Sequence, residues 1–193
     1  MQNEKDLLDI ALILDGNNQG YENILNRHKV NVFNTVLRII RNRESSEEVS
    51  QDVFVKAFQS LNKFEGKSKF STWLYRIAYT SSISYLRSNK SRKENSSDIE
   101  LSTLDELGLH SSDYPMDIEQ LDNKKFINFA LNKLSSEDAS VISLYYLQEQ
   151  PMKEIAKILY MKENAVKIKL HRARKKLHKE LVHLLNLEVK ELL

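Results

Sequence analysis

Only four glycines and two prolines occur in the 193 residues, and this scarcity is the strongest constraint on the fold. Average proteins contain roughly 7% glycine and 5% proline, the residues on which tight hairpin turns and phosphate-binding loops depend. A chain with so few of them favours long helices. Because 41% of the residues are hydrophobic, the chain can bury one or two small cores. We therefore predict an all-α protein made of small helical domains.

The chain contains no cysteine, which excludes disulfides, thiolate zinc sites and thiol redox sensing. Near the N-terminus, the apolar run 10–14 lies between Asp9 and Asp15. Five residues are too few for a signal peptide or for a membrane span of ~20 residues. We expect an unprocessed, soluble, cytoplasmic protein without membrane insertion.

The net charge of +2 conceals three unlike blocks. Residues 1–93 carry fifteen basic and ten acidic side chains, residues 94–123 carry nine acidic and no basic ones, and residues 124–193 carry fourteen basic and eight acidic ones. The middle block is rich in Ser and Asp and has too little apolar surface to offset its ordering entropy. We predict a helical domain over 1–93, an acidic flexible linker over 94–118 and a second helical domain over 119–193. A linker that serves only as a tether is the simpler alternative.

Apolar residues at spacings of three and four predict a helix over residues 21–40. The sequence "SSEE" then predicts a capping box, in which Ser45 and Glu48 open a second helix. After the polar stretch "NKFEGKSKFS" a third helix follows, with Ser71 or Thr72 as its expected cap.

The loop before this third helix, and the helix itself, mix cations with aromatic side chains. This mixture suits single-stranded nucleic acid, because cations follow the phosphates while aromatic faces stack on bases. The alternative is that the aromatic rings, Trp73 above all, belong to the core. The mixed residues are Lys63, Phe64, Lys67, Lys69, Phe70, Trp73, Tyr75 and Arg76.

The C-terminal block predicts a helix-turn-helix. Ser135 and Asp138 are spaced as a helix cap, and a short helix with an apolar face follows Pro151. The turn "YMKE" then leads into a strongly basic helix that begins at Glu163 or Asn164. Two helices joined by a short turn, the second of them basic, are typical of DNA-binding proteins.

The basic helix has two opposite faces. At 100° per residue, its buried stripe consists of Val166, Leu170, Ala173, Leu177 and Leu181. An apolar Ile168 beside Arg172 on the other face fits a surface that reads a DNA groove, where it can meet a thymine methyl. We predict duplex DNA as the ligand. The remaining residues of this outer surface are Lys167, Lys169, His171, Arg174, Lys175 and Lys179.

Four other classes of protein fit less well. A two-domain response regulator requires alternating strands and helices, which residues 1–93 do not show. A helix lying on a membrane favours Trp or Phe on its apolar stripe, and the stripe has neither. In a metal enzyme the histidines would be the candidate metal ligands, but His171 and His178 lie among cations that would repel a metal ion. A helical interaction module without DNA binding remains the hardest to dismiss.

Two stretches, "EEVSQDVFVKAFQSLNKFEGKSKFSTWLYRIA" and "LYYLQEQPMKEIAKILYMKENAVKIKLHRARKKL", resemble regions two and four of the ECF (extracytoplasmic function) sigma factors of bacterial RNA polymerase. The resemblance covers most of residues 16–182. It implies a dissociable polymerase subunit, of the sigma-70 family, that recognises promoters and helps to open them without catalysing a reaction or using a cofactor. A two-domain helix-turn-helix regulator that does not bind core polymerase is the alternative.

The resemblance also implies three binding sites. Core polymerase, through the clamp helices of its largest subunit, would be bound by Glu47, Glu48, Gln51, Asp52 and Phe54. The minus-ten element would be bound by Phe64, Lys67, Ser68, Lys69, Phe70, Trp73, Tyr75 and Arg76. The minus-thirty-five element would be bound by Asn164, Lys167, Ile168, Lys169, His171, Arg172, Arg174 and Lys175.

The acidic linker would thread toward the polymerase active site and the RNA exit channel. An anti-sigma factor is left open as a further partner. The chain departs from the usual family pattern at Thr80 and Ser84, and over residues 164–168, where a Gly-Thr-Val-Lys-Ser run is common. We therefore expect a promoter sequence of its own.

Overall fold

The computed structural model describes the backbone of residues 2–95 and 118–191, and the side chains of residues 2–91 and 126–185. The described residues form helices and no strand, which confirms the all-α prediction. Most of the predicted acidic linker, residues 96–117, lies outside this described part. The helices are α1 (Gln2–Leu14), α2 (Gln19–Ile40), α3 (Arg43–Gln59), α4 (Phe70–Asn95), α5 (Ile118–Lys133), α6 (Ser136–Ile142), α7 (Met152–Ile158) and α8 (Glu163–Glu191), with a 3-10 turn at Leu61–Lys63 and a π turn at Ser143–Leu147.

Helix α2 is the centre of the N-terminal half, where it packs against α1, α3 and α4. Among the apolar positions that predicted this helix, Ile24, Val32 and Val36 are buried, Tyr21 and Ile40 are partly buried, and Leu25 is 40% exposed. Ile39 is buried near the end of the helix. Fully buried side chains of this core are Ile24, Val32, Val36, Val53, Ala57, Leu74 and Ala78.

The start of α3 differs from the predicted capping box. Asn42 is the N-cap, and its side chain accepts a hydrogen bond of 2.8 Å from the backbone N–H of Ser45. The helix therefore begins at Arg43, three residues after α2 ends. Arg41 adopts a left-handed conformation with φ of 61°, which turns the chain between the two helices. Asn is among the strongest N-cap residues, so the cap lies upstream of Ser45.

Helix α1 buries two carboxylates beside two isoleucines, Ile10 and Ile13. Asp6 and Asp9 face inward, where Arg27 of α2 bonds to both carboxylates at 2.5 and 2.6 Å. His28, which is fully buried, lies 2.9 Å from Asp6 through its Nε2. The outward residues of α1 are Leu7, Leu8, Leu12 and Leu14, all of them exposed.

This ionic contact is supported by a second bond. Asn23 donates to Asp9 at 2.8 Å. Burial alone raises the pKa of Asp9, but the hydrogen bonds from Asn23 and Arg27 outweigh it, so that the pKa lies below its ordinary value. The carboxylate is therefore held ionised against α2.

In the C-terminal half, α5, α6 and α7 each pack against α8. The predicted cap of α6 is confirmed, since Ser135 accepts a hydrogen bond from the N–H of Asp138 at 3.2 Å. Phe129 and Tyr146 are about half exposed. The π turn widens the helix after α6 and changes which side chains point inward. The fully buried residues of this half include Ala130, Val141, Ile155, Ile158, Val166 and Ala173.

The close approach of α1 to α2 requires glycine at position 20. A Cβ added to Gly20 would lie 2.5 Å from the carbonyl oxygen of Asp9 and 2.8 Å from Cγ1 of Ile13.

Gly20→Ala should therefore destabilise the chain by about 1 to 3 kcal/mol, as overpacking does. Urea unfolding should show the loss, while Asn26→Ala, at an exposed position of the same helix, should leave the midpoint nearly unchanged. Equal midpoints for both variants would contradict this packing.

Candidate polymerase and promoter interfaces

The loop between α3 and α4 is built on a cluster of aromatic rings. The ring of Phe70 lies 5.6 Å from that of Phe64 and 5.7 Å from that of Trp73, and Phe64 lies 5.4 Å from Trp73. Gly66, at φ of 67°, makes the left-handed turn at the tip of the loop. The ring cluster thus holds the loop at Phe64, near its start, and at Phe70, where α4 begins.

The structure separates the predicted minus-ten residues into two groups. Phe70 is fully buried and Tyr75 is 2% exposed, so neither side chain can contact DNA in this conformation. This corrects the prediction of direct contact, because both rings fill the core beneath the loop. Burial raises the pKa of Tyr75 to about 12. On the surface are Lys67, Lys69 and Arg76, with Phe64, Ser68 and Trp73 half-buried.

Of these exposed cations, Arg76 borders a cleft of about 230 Å³, which Lys63 also lines. Its other side is formed by Tyr160, the residue at the turn between α7 and α8, which is held in a left-handed conformation at φ of 55°. The guanidinium of Arg76 lies 4.1 Å from the centre of the Tyr160 ring, a cation–π contact. Sequence analysis missed Tyr160, whose role depends on the packing of distant helices. The cleft residues on the other helices include Ser60, Lys63, Trp73, Ile77 and Thr80.

The contact at Tyr160 is part of a larger interface between the two halves, in which α6 packs on α2 and α7 packs on α4. Gln148 donates to Thr35 at 2.7 Å, and Lys157 donates to the carbonyl oxygen of Lys67 at 3.4 Å. Arg38 and Arg41 bond to neutral acceptors, the side chain of Asn128 and the carbonyl of Leu134.

Burial lowers the pKa of both interface arginines, and the positive charge of Arg41 lowers that of Arg38 further. Among the described residues neither guanidinium is paired with a carboxylate. A charge that is removed from water without an opposite charge weakens the packing around it. The interface combines these polar contacts with an apolar cluster that continues from one half into the other.

The predicted polymerase-binding residues lie on α3. Glu47, Glu48, Gln51 and Asp52 are exposed on one face, which confirms that they share a surface. Phe54 is 7% exposed and packs against the ring of Phe58, so it supports this face from inside and cannot dock on a partner in this conformation. Val55, which the sequence analysis missed, is 52% exposed next to the acidic residues.

The outer face of α8 carries most of the predicted minus-thirty-five residues. Ile168 is 54% exposed, although the buried stripe on the opposite side has Val166, Leu170 and Ala173 at 2% or less. Lys169 turns away from this face, because it forms ion pairs with Glu137 and Asp138 of α6. The other predicted residues, all exposed, are Asn164, Lys167, His171, Arg172, Arg174 and Lys175.

Asp138 fixes α8 against α6. It is buried, and its carboxylate bonds to Lys176 at 2.6 Å and lies 4.0 Å from Lys169. Burial raises its pKa, but the hydrogen bonds from Lys176 and Ser135 and the charges of both lysines outweigh this, so the pKa is lower than usual. The ionised carboxylate sets the position of the exposed face above it.

Two negative findings concern the described residues alone. No group of three or more His, Asp or Glu side chains there is arranged to hold a metal ion. None of the described helices has the length and apolar composition that a membrane span needs.

Family models match both halves of the chain. Residues 24–92 match the model of sigma-70 region 2, and residues 127–177 match that of sigma-70 region 4. Helices α2 to α4 lie within or overlap the first match, whereas α1 precedes it. The fold and the matches together define a two-domain helical transcription factor.

Curated relatives extend the match along the chain. The ECF RNA polymerase sigma factor SigW of Bacillus subtilis is 29% identical over 178 residues, which cover 89% of this chain and 94% of SigW. The RNA polymerase sigma factor YlaC of the same species is 30% identical over 161 residues, which cover 83% of this chain and 91% of YlaC.

Solved structures share the fold. The sigma factor RpoE of Bartonella quintana, in complex with the anti-sigma factor NepR, has a TM-score of 0.68 at 21% identity and covers 83% of this chain and 96% of its own. CnrH, in complex with the cytosolic domain of CnrY, has a TM-score of 0.67 at 22% identity and covers 93% of this chain and 98% of its own.

The chain belongs to the sigma-70 family of RNA polymerase sigma factors, in the ECF group. As a sigma factor it binds core RNA polymerase and promoter DNA and directs promoter-specific initiation of transcription.

The lowered pKa of Asp138 predicts acid sensitivity in the C-terminal half. A carboxyl group whose pKa is lower in the folded than in the unfolded chain stabilises the fold above its unfolded value, 3.8, and loses that contribution as the pH falls below it. Asp138→Asn should reduce stability at pH 7 and weaken the further loss on acidification. Urea midpoints between pH 7 and pH 3, with the exposed Asp52→Asn as the control, measure this; parallel curves for wild type and Asp138→Asn would contradict it.

Proposed function

We propose that three separate surfaces divide the work of this sigma factor. The outer face of α8 reads the minus-thirty-five element, the loop and cleft before and along α4 hold the minus-ten element, and the acidic face of α3 docks on the clamp helices of the polymerase largest subunit. The observation that carries the proposal is the exposed Ile168, one turn from the exposed Arg172 and opposite the buried stripe of α8.

Ile168 is exposed among cations on the side of α8 opposite the buried stripe, a position that suits a groove-reading face. On a groove-reading face Ile168 meets a thymine methyl, while Arg172 offers two donors to guanine O6 and N7. Lys175 lies farther along the helix, where its amine contacts a phosphate. This arrangement separates residues that specify the sequence from residues that only position the helix.

At the minus-ten element, Lys67 and Lys69 follow the phosphates of a melted strand. An extruded base enters the cleft beside Trp73 and Arg76 and stacks on a face there. Extruding a base costs a few kcal/mol, which the stacking and the cationic loop offset. The buried Phe70 and Tyr75 support this surface without touching the DNA.

The chain performs these tasks in the cytoplasm as a binding subunit, without catalysis of its own. We include an anti-sigma factor among its partners, because the Bartonella RpoE was solved in complex with the anti-sigma factor NepR. The acidic linker is proposed to thread toward the active site of the polymerase.

The reading face can be tested by selecting binding sites from a randomised minus-thirty-five region at fixed salt. Arg172→Ala should cost about 1 to 3 kcal/mol and relax the preference at one base pair, and Ile168→Ser should relax it at a neighbouring one. Lys175→Ala should weaken all sequences alike and lower the salt slope by about one. A selected sequence that changes with Lys175→Ala, and not with the other two variants, would contradict the assignment.

The acidic face of α3 can be tested by charge reversal. Glu48→Lys with Asp52→Lys should weaken the binding of core polymerase, because the two exposed carboxylates lose their cationic partners there. Exposed charges contribute little to stability, so helicity should stay the same. Competition against a labelled sigma factor measures the affinity, with reversal of Glu22 and Asp15, exposed elsewhere, as the matched control. Equal affinity for both double variants would remove α3 from the interface.

Tyr160 covers the guanidinium of Arg76, so a base can stack there only when the two separate. Tyr160→Ala should therefore raise the affinity for a single-stranded minus-ten oligonucleotide about two- to five-fold, the equivalent of one exposed cation–π contact. Tyr160→Phe keeps the ring and should bind as the wild type does. Fluorescence anisotropy of a labelled oligonucleotide distinguishes the two variants, and an unchanged affinity with Tyr160→Ala would show that Arg76 is not covered.

A further inference from the structure

We infer that α1, which precedes the residues matched by the region 2 model, positions the minus-ten loop, and that Asn3 is its positioning residue. Two independent contacts carry this inference, one to the backbone of Phe70 and one to its ring. Phe70 is the residue at which the loop ends and α4 begins. The inference rests on the proposed function of the loop and deepens it.

The first contact completes the start of α4. The first turn of any helix leaves backbone N–H groups without a partner inside the helix. At α4 the residue before the helix is Lys69, whose carbonyl accepts from the N–H of Trp73 at 3.2 Å but whose side chain has no acceptor atom for capping. The N–H of Phe70 donates instead to Oδ1 of Asn3, at 3.1 Å, across 67 positions in sequence.

This finding corrects the cap predicted from the sequence. Ser71 and Thr72 were the expected caps, but both lie inside α4, which starts at Phe70. The acceptor comes from another helix. Consequently the place where α4 begins, and the direction in which the loop enters it, depend on where α1 lies.

The second contact runs through His28. The imidazole of His28 packs edge-on against the ring of Phe70, with 5.6 Å between ring centres, and its Nε2 bonds to Asp6 of α1 at 2.9 Å. Phe70 in turn touches Phe64 and Trp73, the two half-buried rings of the loop and cleft. Helix α1 therefore holds the backbone of Phe70 directly and its ring through one intermediary.

Helix α1 is itself fixed well enough to act as a reference. Arg27 bonds to both Asp6 and Asp9, and Gly20 allows the backbones of α1 and α2 to touch. Separating the partners of a buried ion pair is strongly destabilising, because it leaves a buried charge without its opposite charge. A shift of α1 would break several charged contacts at once. These contacts therefore hold Asn3 where its Oδ1 accepts the hydrogen bond from the N–H of Phe70.

The fluorescence of Trp73 can report on the order of the loop, because Trp73 is the only tryptophan and lies in the ring cluster beside Phe70. The experiment compares Asn3→Ala, Asn3→Asp and the control Gln2→Ala, at an exposed position of the same turn. Acrylamide quenching of Trp73 measures the order of the loop without DNA, and circular dichroism measures helicity. Permanganate reactivity of promoter thymines, with core polymerase, measures the rate of opening.

Asn3→Ala should increase the quenching of Trp73 and slow promoter opening about five-fold, equivalent to ~1 kcal/mol for a lost cap, with helicity unchanged. Asn3→Asp should restore both values, because a carboxylate oxygen accepts from an N-terminal N–H as well as an amide oxygen does. Gln2→Ala should match the wild type.

Three results would overturn the inference. Quenching by acrylamide could be the same in Asn3→Ala and the wild type, Asn3→Asp could fail to restore what Asn3→Ala loses, or Asn3→Ala could lose helicity together with loop order. A wild-type protein that binds core polymerase but opens no promoter would instead refute the function of the loop, and the quenching comparison would still decide the role of Asn3.

Discussion

The shape of the minus-ten surface depends on the burial of one ring, that of Phe70. This ring joins the core beneath α4 to the loop above it, and it contacts His28 of α2 as well as the two rings that border the cleft. A loop of polar residues and cations has few contacts of its own, so it keeps one shape only if its ends are fixed. Phe70 fixes the end at α4, and the 3-10 turn with the buried Leu61 fixes the other.

The interface between the two halves contains several polar contacts. Its central contacts are hydrogen bonds from Arg38, Arg41 and Gln148 to neutral acceptors, and its edge is the stacked pair of Arg76 and Tyr160. Polar contacts of this kind exchange readily with water, but the buried apolar side chains of the two halves form one continuous cluster beneath them. The two promoter surfaces therefore lie on helices that share one apolar core, with polar contacts where the two halves meet.

Sequence periodicity predicted the helices that bury apolar stripes, such as α2 and α8, together with the helix-turn-helix and its exposed Ile168. It gave no prediction for α1, which buries Asp6 and Asp9 beside Ile10 and Ile13 while its leucines face outward, because the two carboxylates can be buried only beside Arg27. The cap that Asn3 gives to α4 was equally inaccessible, since local rules search within a few residues of the helix start. The π turn after α6, in which Tyr146 is about half exposed, was not predicted either, because no rule of residue spacing identifies such a turn.

The central claim is that this chain directs core RNA polymerase to promoters through two surfaces, and run-off transcription tests it most directly. Core polymerase with this protein is supplied with a fragment pool of the genome that encodes it, and the transcript starts are sequenced. The account predicts discrete starts that require the protein and share two upstream elements at a constant separation. Transcription equal to that of core polymerase alone, or starts that share only one element, would contradict it.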